Sequence, residues 1–515
     1  MSLFMQGINS LTLCLFLSVA NVSCQKGPVE TPEEPQAGNP TVNLTVTNTN
    51  VGSAQTSSKH RMIIFDLQWG NSWHTSSCPG NWDAAWVLVK YKVGNGEWKH
   101  ATLSAVRSEH SVPSGVTMDA PSDGRGVYIR RGESGTGNYR VQGVALRWNY
   151  GTDNVSDDAA VTVKVFGVEM VYIPEGSFYA GDNATMEAAF QKGSQDTRPW
   201  FITSENAIPL TNDSSGGYYY ISSKDFWNEG FNTNEDATGS TFTLPADYPK
   251  GFRAIYCMKY ELTQQQYTDF LNTLTPAQAA NRYNRTHYNQ YGYTIQENNG
   301  TYTNAHPDRA CGFLSPADGC AYADWAGLRP MSELEFEKIC RGSGNPVMNH
   351  EFAWGTTNAK SAQSVTGSEA DRALITANSA NSYFWDETTS SPQPALPLNA
   401  GIFAGQGKTR EKNGATYYGV MEMSGNLHEP CVTVGNMYGR AFTFRNGNGQ
   451  LSADGFTDEN GWPLRDGKGA GFRGGCFTIN SGHMCVSLRI DAATEIYATH
   501  RHIPWGFRGV RTVSY

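Results

Sequence analysis

Short helices with clear start signals, separated by long stretches without helical periodicity, constrain the fold of this sequence more than any other feature. Capping boxes open helices after Thr263 and Ser332, because each is followed three positions later by Gln or Glu. Ser315 caps another helix, whose first position is a proline. That helix stops at Gly327, and the one after Ser332 ends near Gly342. Loops and short strands fill the rest, so the sequence after about residue 168 predicts a mixed α+β, loop-rich region.

The region before it has the pattern of β-structure. Apolar and polar residues alternate at 42–46, 62–67 and 161–165, which is the period of a half-buried strand. The run 85–93 is rich in strand-forming residues and ends in a Gly-Asn-Gly turn signal. Several short strands with this spacing predict an antiparallel β-sandwich over residues 41–168.

Charge and composition exclude several classes of protein. The net charge is −9 at pH 7, whereas a nucleic-acid binder needs a basic face, so we expect no nucleic-acid partner. No run of 18 apolar residues occurs, so no helix is expected to span a membrane. The 54 glycines follow no three-residue period, which excludes collagen.

The first residues predict that the protein is located in the bacterial cell envelope. Residues 1–24 contain a short apolar run and end in Ser23-Cys24, which is typical of a secretory signal with a lipobox-like end. Cys24 is the expected lipid attachment site, and residues 25–40, rich in Pro, Glu and Gly, predict a flexible tether. The protein would then be an outer-membrane lipoprotein that contacts the membrane through its anchor, or an exported protein. An ordinary export signal with a chance cysteine, or a misassigned start codon, is the alternative. Ten cysteines fit an oxidising compartment, with no pairing readable from the sequence.

Seven motifs follow one another along the C-terminal region. They occupy residues 170–178, 260–267, 321–337, 352–355, 418–429, 472–475 and 506–508. This ordered series resembles the formylglycine-generating enzyme, or sulfatase-modifying factor, family. The resemblance implies a C-type-lectin-like fold for residues 169–515.

The resemblance also implies a possible chemistry. The family's enzymes use oxygen and a copper(I) ion on two cysteines to oxidise a sulfatase cysteine to formylglycine; thiolates are the ligands that select copper(I). Cys485, four residues before Arg489, stands where the family has its second cysteine. Ile479 occupies the position of the first, and Cys476 replaces a family serine. Cys476 and Cys485 could still form a copper site if the loop folds back; a structural disulfide or two buried thiols are the alternatives.

Two further segments match places where the family binds structural calcium. They contribute Asn378, Ser379, Asn426 and Glu429, which offer the oxygen ligands that calcium prefers. Alternatively, Asn426 caps a turn and Glu429 forms a salt bridge.

The segment between the last two motifs carries aromatic, methionine and adaptable polar side chains, which are typical of recognition surfaces. We predict a ligand-binding face formed by Phe477, Asn480, His483, Met484, Tyr497, His500, His502 and Trp505. A His/Cys transition-metal site is conceivable here, and ordinary loop histidines are the simpler interpretation. The sequence thus favours a binding or adhesive module for an unknown protein or glycan ligand, without oxidase activity. The alternatives are a copper-dependent formylglycine-generating oxidase and a structural part of an envelope assembly.

Overall fold

A computed structural model describes residues 44–214, 216–225, 234–366, 375–376, 380–387, 396–405, 409–463, 465–493 and 500–513. The signal segment, Cys24 and the tether lie outside these residues. In the part of the chain that the structure describes, no helix is long and apolar enough to cross a membrane.

Eight strands form the N-terminal part: β1 (Thr45–Val51), β2 (Arg61–His74), β3 (Asp83–Val93), β4 (Lys99–His100), β5 (Val116–Asp119), β6 (Val127–Arg131), β7 (Gly135–Trp148) and β8 (Val161–Ile173). The predicted strand at 85–93 is confirmed as β3. Strands β1, β2 and β7 form a three-stranded antiparallel sheet. Its buried side chains, such as Phe65 and Leu146, share one core with Val87 of β3 and Ile129 of β6.

The remaining strands are short: β9 (Phe178–Ala180), β10 (Trp200–Ile202), β11 (Ile208–Pro209), β12 (Thr243–Leu244), β13 (Ile255–Met258), β14 (Gln296–Asn298), β15 (Thr301–Thr303), β16 (Arg329–Ser332), β17 (Val365–Thr366), β18 (Ile375–Thr376), β19 (Glu429–Val432), β20 (Ala470–Arg473) and β21 (Gly509–Thr512). Five of them continue the sheet that contains β3. The resulting ten-stranded sheet has the order β20-β19-β16-β21-β13-β8-β3-β6-β5, with β4 paired to β3. Among its described strand pairs, only β16 and β19 are parallel.

Strand β8 joins the two parts of the chain. It pairs with β3 from Val161 to Val171 and with β13 from Met170 to Ile173. The predicted domain boundary between residues 168 and 169 therefore falls inside a strand, where the chain has no linker. The alternation at 161–165 marked the beginning of β8, and the motif at 170–178 contains its end.

Six helices are described: α1 (Gln264–Leu271), α2 (Pro276–Arg282), α3 (Pro316–Trp325), α4 (Glu333–Arg341), α5 (Arg410–Asn413) and α6 (Met437–Arg440). The predicted caps at Thr263, Ser315 and Ser332 are confirmed: each side chain accepts a hydrogen bond from the backbone amide three residues on. Helix α2 begins with a capping box at Thr275, where Gln278 is the third residue on.

Hydrogen bonds between the two parts of the chain hold the N-terminal part against helix α3. The Trp86 indole donates to the Ala326 carbonyl at 2.8 Å, just after α3. The Lys90 ammonium donates to the Trp325 carbonyl at 2.7 Å. Both side chains are buried and come from β3, so this strand packs on α3 as well as on β8.

Candidate functional site

A buried cluster of charges underlies the C-terminal segment. Glu333 and Glu337 lie one turn apart on α4 and are fully buried. Arg473, at the end of β20, lies 3.1 Å from Glu333 and 2.7 Å from Glu337. Arg489 lies 2.6 Å from Glu333, and Arg341 lies 3.1 Å from Glu337. Since charges this deep need partners, the motif residues of α4 serve to fix the two ends of segment 473–489.

The two candidate copper ligands lie within that segment and are inaccessible. Cys476 is 0% exposed and Cys485 is 6% exposed, and both are free thiols. Cys476 Sγ lies 3.2 Å from the Thr478 hydroxyl, whereas Cys485 Sγ donates to the His350 carbonyl at 3.6 Å. Burial raises the pKa of each thiol to about 12. Of the three alternatives, the structure shows two buried thiols.

Seven described cysteines in total carry buried free thiols: Cys257, Cys311, Cys320, Cys340, Cys431, Cys476 and Cys485. Most of them belong to the apolar core clusters, where a thiol packs as a small hydrophobic side chain.

The predicted ligand-binding face is partly corrected. Phe477 and Met484 are 0% exposed, and Trp505 is 6% exposed, so these three belong to the core. The loop turns them inward because they complete apolar clusters: the Phe477 ring stacks on Tyr383 at 5.8 Å, for example. Tyr497 lies outside the described residues.

The polar members of that face are accessible. Asn480, His500 and His502 are exposed, and His483 is half-buried. His500 and His502 stack with ring centroids 6.2 Å apart, and His502 lies 5.4 Å from the buried Trp505 ring.

Two other histidines adjoin this surface. His428 lies beneath it, and burial together with the neighbouring His483 lowers its pKa to about 4. Burial and the neighbouring His500 and His287 lower the pKa of His502. We call His287, His428, His483, His500 and His502 the histidine face. The members with a lowered pKa are neutral near pH 7. Neutral imidazoles suit hydrogen bonding rather than the attraction of anions.

The predicted calcium ligands have partners within the protein. Asn426 Oδ1 accepts from the Leu398 amide at 2.9 Å, and its amide nitrogen donates to Glu261. Glu429 Oε1 accepts from Arg508 at 2.7 Å, and its other oxygen has no partner among the described residues. Asn378 and Ser379 lie outside the described residues. Of the four predicted ligands, the two that the structure describes offer one oxygen without a hydrogen-bond partner. Calcium binding therefore remains a prediction.

Comparison with known proteins agrees with the motif series. The sulfatase-modifying factor enzyme 1-like domain model matches residues 159–513, which is more than half of the chain. The chain belongs to this family. The match begins before β8, at residue 159, which supports placing the whole of that strand in the family domain.

A solved structure similar to this chain is Treponema denticola variable protein 1. The two are 13% identical, and the comparison covers 68% of this chain and 96% of that chain at a TM-score of 0.30. No curated protein matches the chain.

Sequence reasoning missed one contribution to the surface of the sulfatase-modifying-factor-like domain. His287 stacks on Phe313 at 4.3 Å, and Tyr288 and Tyr291 beside it are 45% and 52% exposed. These residues lie in the loop after α2, about 200 positions before His500. The available signal was compositional: residues 287–293 contain three tyrosines and a histidine.

The same domain has one group of three carboxylates whose oxygens lie within 4.8 Å of one another, among the residues the structure describes. It consists of Asp324, Asp458 and Glu459. Asp324 accepts from the Thr457 hydroxyl at 2.5 Å and from the Asn448 amide at 2.9 Å. These bonds show that Asp324 orders the loop around residues 448–458.

Proposed function

We propose that this chain is a cell-envelope lipoprotein whose sulfatase-modifying-factor-like domain binds a protein or glycan ligand and has no oxidase activity. The observation that carries the proposal is the burial of Cys476 and Cys485 within segment 473–489. A formylglycine-generating enzyme must bring a peptide cysteine to copper, so its two thiolates need an open approach.

The sequence of the segment supports this. Ile479 stands at the family position of the first cysteine, and Cys476 is displaced from it by three residues. The two thiols also bond to different neighbours, Thr478 and the His350 carbonyl. This donor set does not fit a two-cysteine copper(I) site that acts on a peptide.

Within the histidine face, His500 and His502 are exposed and His287 and His483 are half-buried, so a ligand can reach these four side chains. The face combines exposed imidazoles with the nearby aromatic rings of Tyr288 and Tyr291. Amphipathic side chains of this kind bind partners with apolar contact and hydrogen bonds together. A lipid at Cys24, the tether and the N-terminal β-sandwich would present this face away from the membrane. The C-type-lectin-like fold of the family fits the same role.

Incubation of the copper-loaded full chain with a cysteine-containing sulfatase peptide under oxygen tests the absence of oxidase activity. We expect no formylglycine by mass spectrometry, and the same result from Cys485→Ser as the matched control. Conversion by the unchanged chain, lost in Cys485→Ser, would establish the oxidase alternative and overturn the proposal.

The binding role is tested on a glycan array and against purified envelope proteins. His500→Ala combined with His502→Ala should lower the strongest signal at least tenfold while the melting temperature stays unchanged. Equal binding by the variant would remove the histidine face from the proposal. Detergent partitioning tests the anchor, because Cys24→Ala should release the protein into the aqueous phase.

A further inference from the structure

A cavity of about 460 Å³ lies where the N-terminal part meets the family domain, apart from the histidine face. Strands β1 and β8 form one side of it, and helices α1 and α3 form the other. Its volume falls within the range of about 300–1,000 Å³ that is usual for small-molecule sites. Sites of this kind also occur preferentially between domains.

Polar groups with spare hydrogen-bonding capacity line the cavity. Asp269 Oδ1 accepts from the Gln265 amide at 3.0 Å, and no described residue donates to its other oxygen. Burial raises the pKa of Asp269 to about 6, opposed by Gln265 and by the charge of Lys164. Lys164, on β8, also lines the cavity; its ammonium lies 4.9 Å from the Trp98 ring centroid and makes no hydrogen bond to a described residue. An acceptor and a donor with spare hydrogen-bonding capacity are therefore among the lining residues.

The deeper wall has unsatisfied groups as well. Thr45, Glu169 and Tyr260 all line the cavity, and each has a buried oxygen without a hydrogen-bond partner among the described residues. Buried polar atoms are nearly always paired, and each exception needs an explanation. A hydroxyl-bearing occupant, with water around it, would supply partners to this wall.

Apolar surface completes the lining. The half-buried ring of Phe166 packs edge-on against Trp325 with centroids 5.0 Å apart, and both residues line the cavity. Aromatic faces carry partial negative charge and attract the slightly positive C–H groups of a sugar ring. Carboxylate, amide and ammonium groups beside an aromatic face are a combination that suits a polyhydroxylated molecule. A polyanion would meet the carboxylate of Asp269, and a lipid would leave the polar groups unpaired.

We propose that this cavity binds a neutral polyhydroxylated molecule of monosaccharide to disaccharide size. The site is independent of the histidine face, so the chain would have one site for a partner at its surface and another for a small sugar at the junction.

Saturation-transfer NMR with the full chain tests the proposal, using glucose, galactose, mannose, N-acetylglucosamine and lactose as probes. At least one probe should receive magnetisation, and calorimetric titration should then give its affinity. Asp269→Asn keeps the bond from Gln265 but removes the charge, and we expect it to weaken binding about tenfold or more. Thr49→Trp at the exposed rim should block entry and weaken binding independently of Asp269.

Two control variants distinguish binding in this cavity from binding at the histidine face. Asp158→Asn changes an exposed carboxylate outside the cavity and should leave the affinity unchanged. His500→Ala with His502→Ala should also leave it unchanged, so failure of the histidine-face proposal would be distinguishable. The proposal is overturned if no probe binds, or if Asp269→Asn and Thr49→Trp, with melting temperatures like that of the unchanged chain, bind equally well.

Discussion

Arg489 and Glu333 form a two-point ion pair in the core of the family domain. Arg489 Nε lies 2.6 Å from Oε2 of Glu333, and Nη2 lies 2.9 Å from Oε1. Neither side chain is more than 1% exposed, and Arg473 contacts the same carboxylate. The Glu333 carboxylate thus pairs with the arginines at both ends of segment 473–489, and Glu337 supplies the second counter-charge through Arg473.

Glu333→Gln should destabilise the protein strongly. The substitution leaves Arg489 and Arg473 short of a counter-charge in the core, and loss of one partner of a buried pair costs about 3–5 kcal/mol. Urea unfolding measures the effect. Arg465→Ala breaks the exposed pair with Asp454 and is the matched control, for which we expect a loss of about 1 kcal/mol or less. A Glu333→Gln protein as stable as the control variant would contradict the role given to the cluster.

Lys338 should make stability rise with pH in the alkaline range. Burial lowers the pKa of its ammonium group from 10.5 to about 7. Between these values the unfolded chain keeps a proton that the folded chain has lost, so the free energy of unfolding increases with pH. The increase is at most about 1.4 kcal/mol per pH unit. In chemical unfolding at pH 7, 8 and 9, Lys338→Met should lower the slope by up to this amount, while the contributions of other buried groups, such as Lys250 with a pKa lowered to about 8, remain.

The control for this pH dependence is Lys412→Met, which replaces an exposed lysine. Its profile should run parallel to that of the unchanged protein. If the Lys338→Met profile is parallel too, the ammonium group is protonated in the folded state and the prediction is wrong.

A fragment that begins at residue 159, where the family match starts, should not fold stably. It lacks β3, which pairs with β8 along eleven residues of register, from Val93 to Asp83. It also lacks Trp86 and Lys90, which donate to carbonyls at the end of α3. We expect aggregation and strong binding of a hydrophobic dye. A monomeric fragment with the near-ultraviolet circular dichroism of a packed core would show that the two parts fold independently.

Calcium removal should lower the melting temperature if the predicted ligands bind the ion, because a ligand of the native state alone stabilises it by mass action. The measured quantity is the shift caused by a chelator in each variant. Asn426→Ala and Glu429→Ala should reduce that shift. Each variant also loses a bond within the protein, from the Leu398 amide or from Arg508, so the shift is compared within each variant and not between their melting temperatures. No chelator effect on the unchanged protein would remove calcium from the site.

Local signals predicted the local structure well. The caps at Thr263, Ser315 and Ser332 fixed three helices, because a side chain and an amide three residues apart decide such a start. The alternation and turn signal around residues 85–93 located β3 for a similar reason. These features depend on residues that are neighbours in the sequence, so one sequence is enough to predict them.

Contacts between distant residues were not predictable in the same way. The burial of Phe477 and Met484 depends on clusters built from residues scattered along the chain, so their apolar character alone did not show which way they face. The approach of His287 to His500 had no signal beyond composition. The pairing of β8 with strands of both parts had no local signal either, because the strand has one continuous β-pattern across the predicted boundary.

The path of the chain through β8 has a mechanical consequence. A protein tethered at one end and bound to a partner at the other carries tension between those points, and a flexible linker would let the two parts swivel under load. Here the chain passes from one part to the other in the middle of β8, which is hydrogen-bonded to β3 and to β13. The orientation of the histidine face is therefore fixed relative to strands β3 and β13, which flank β8.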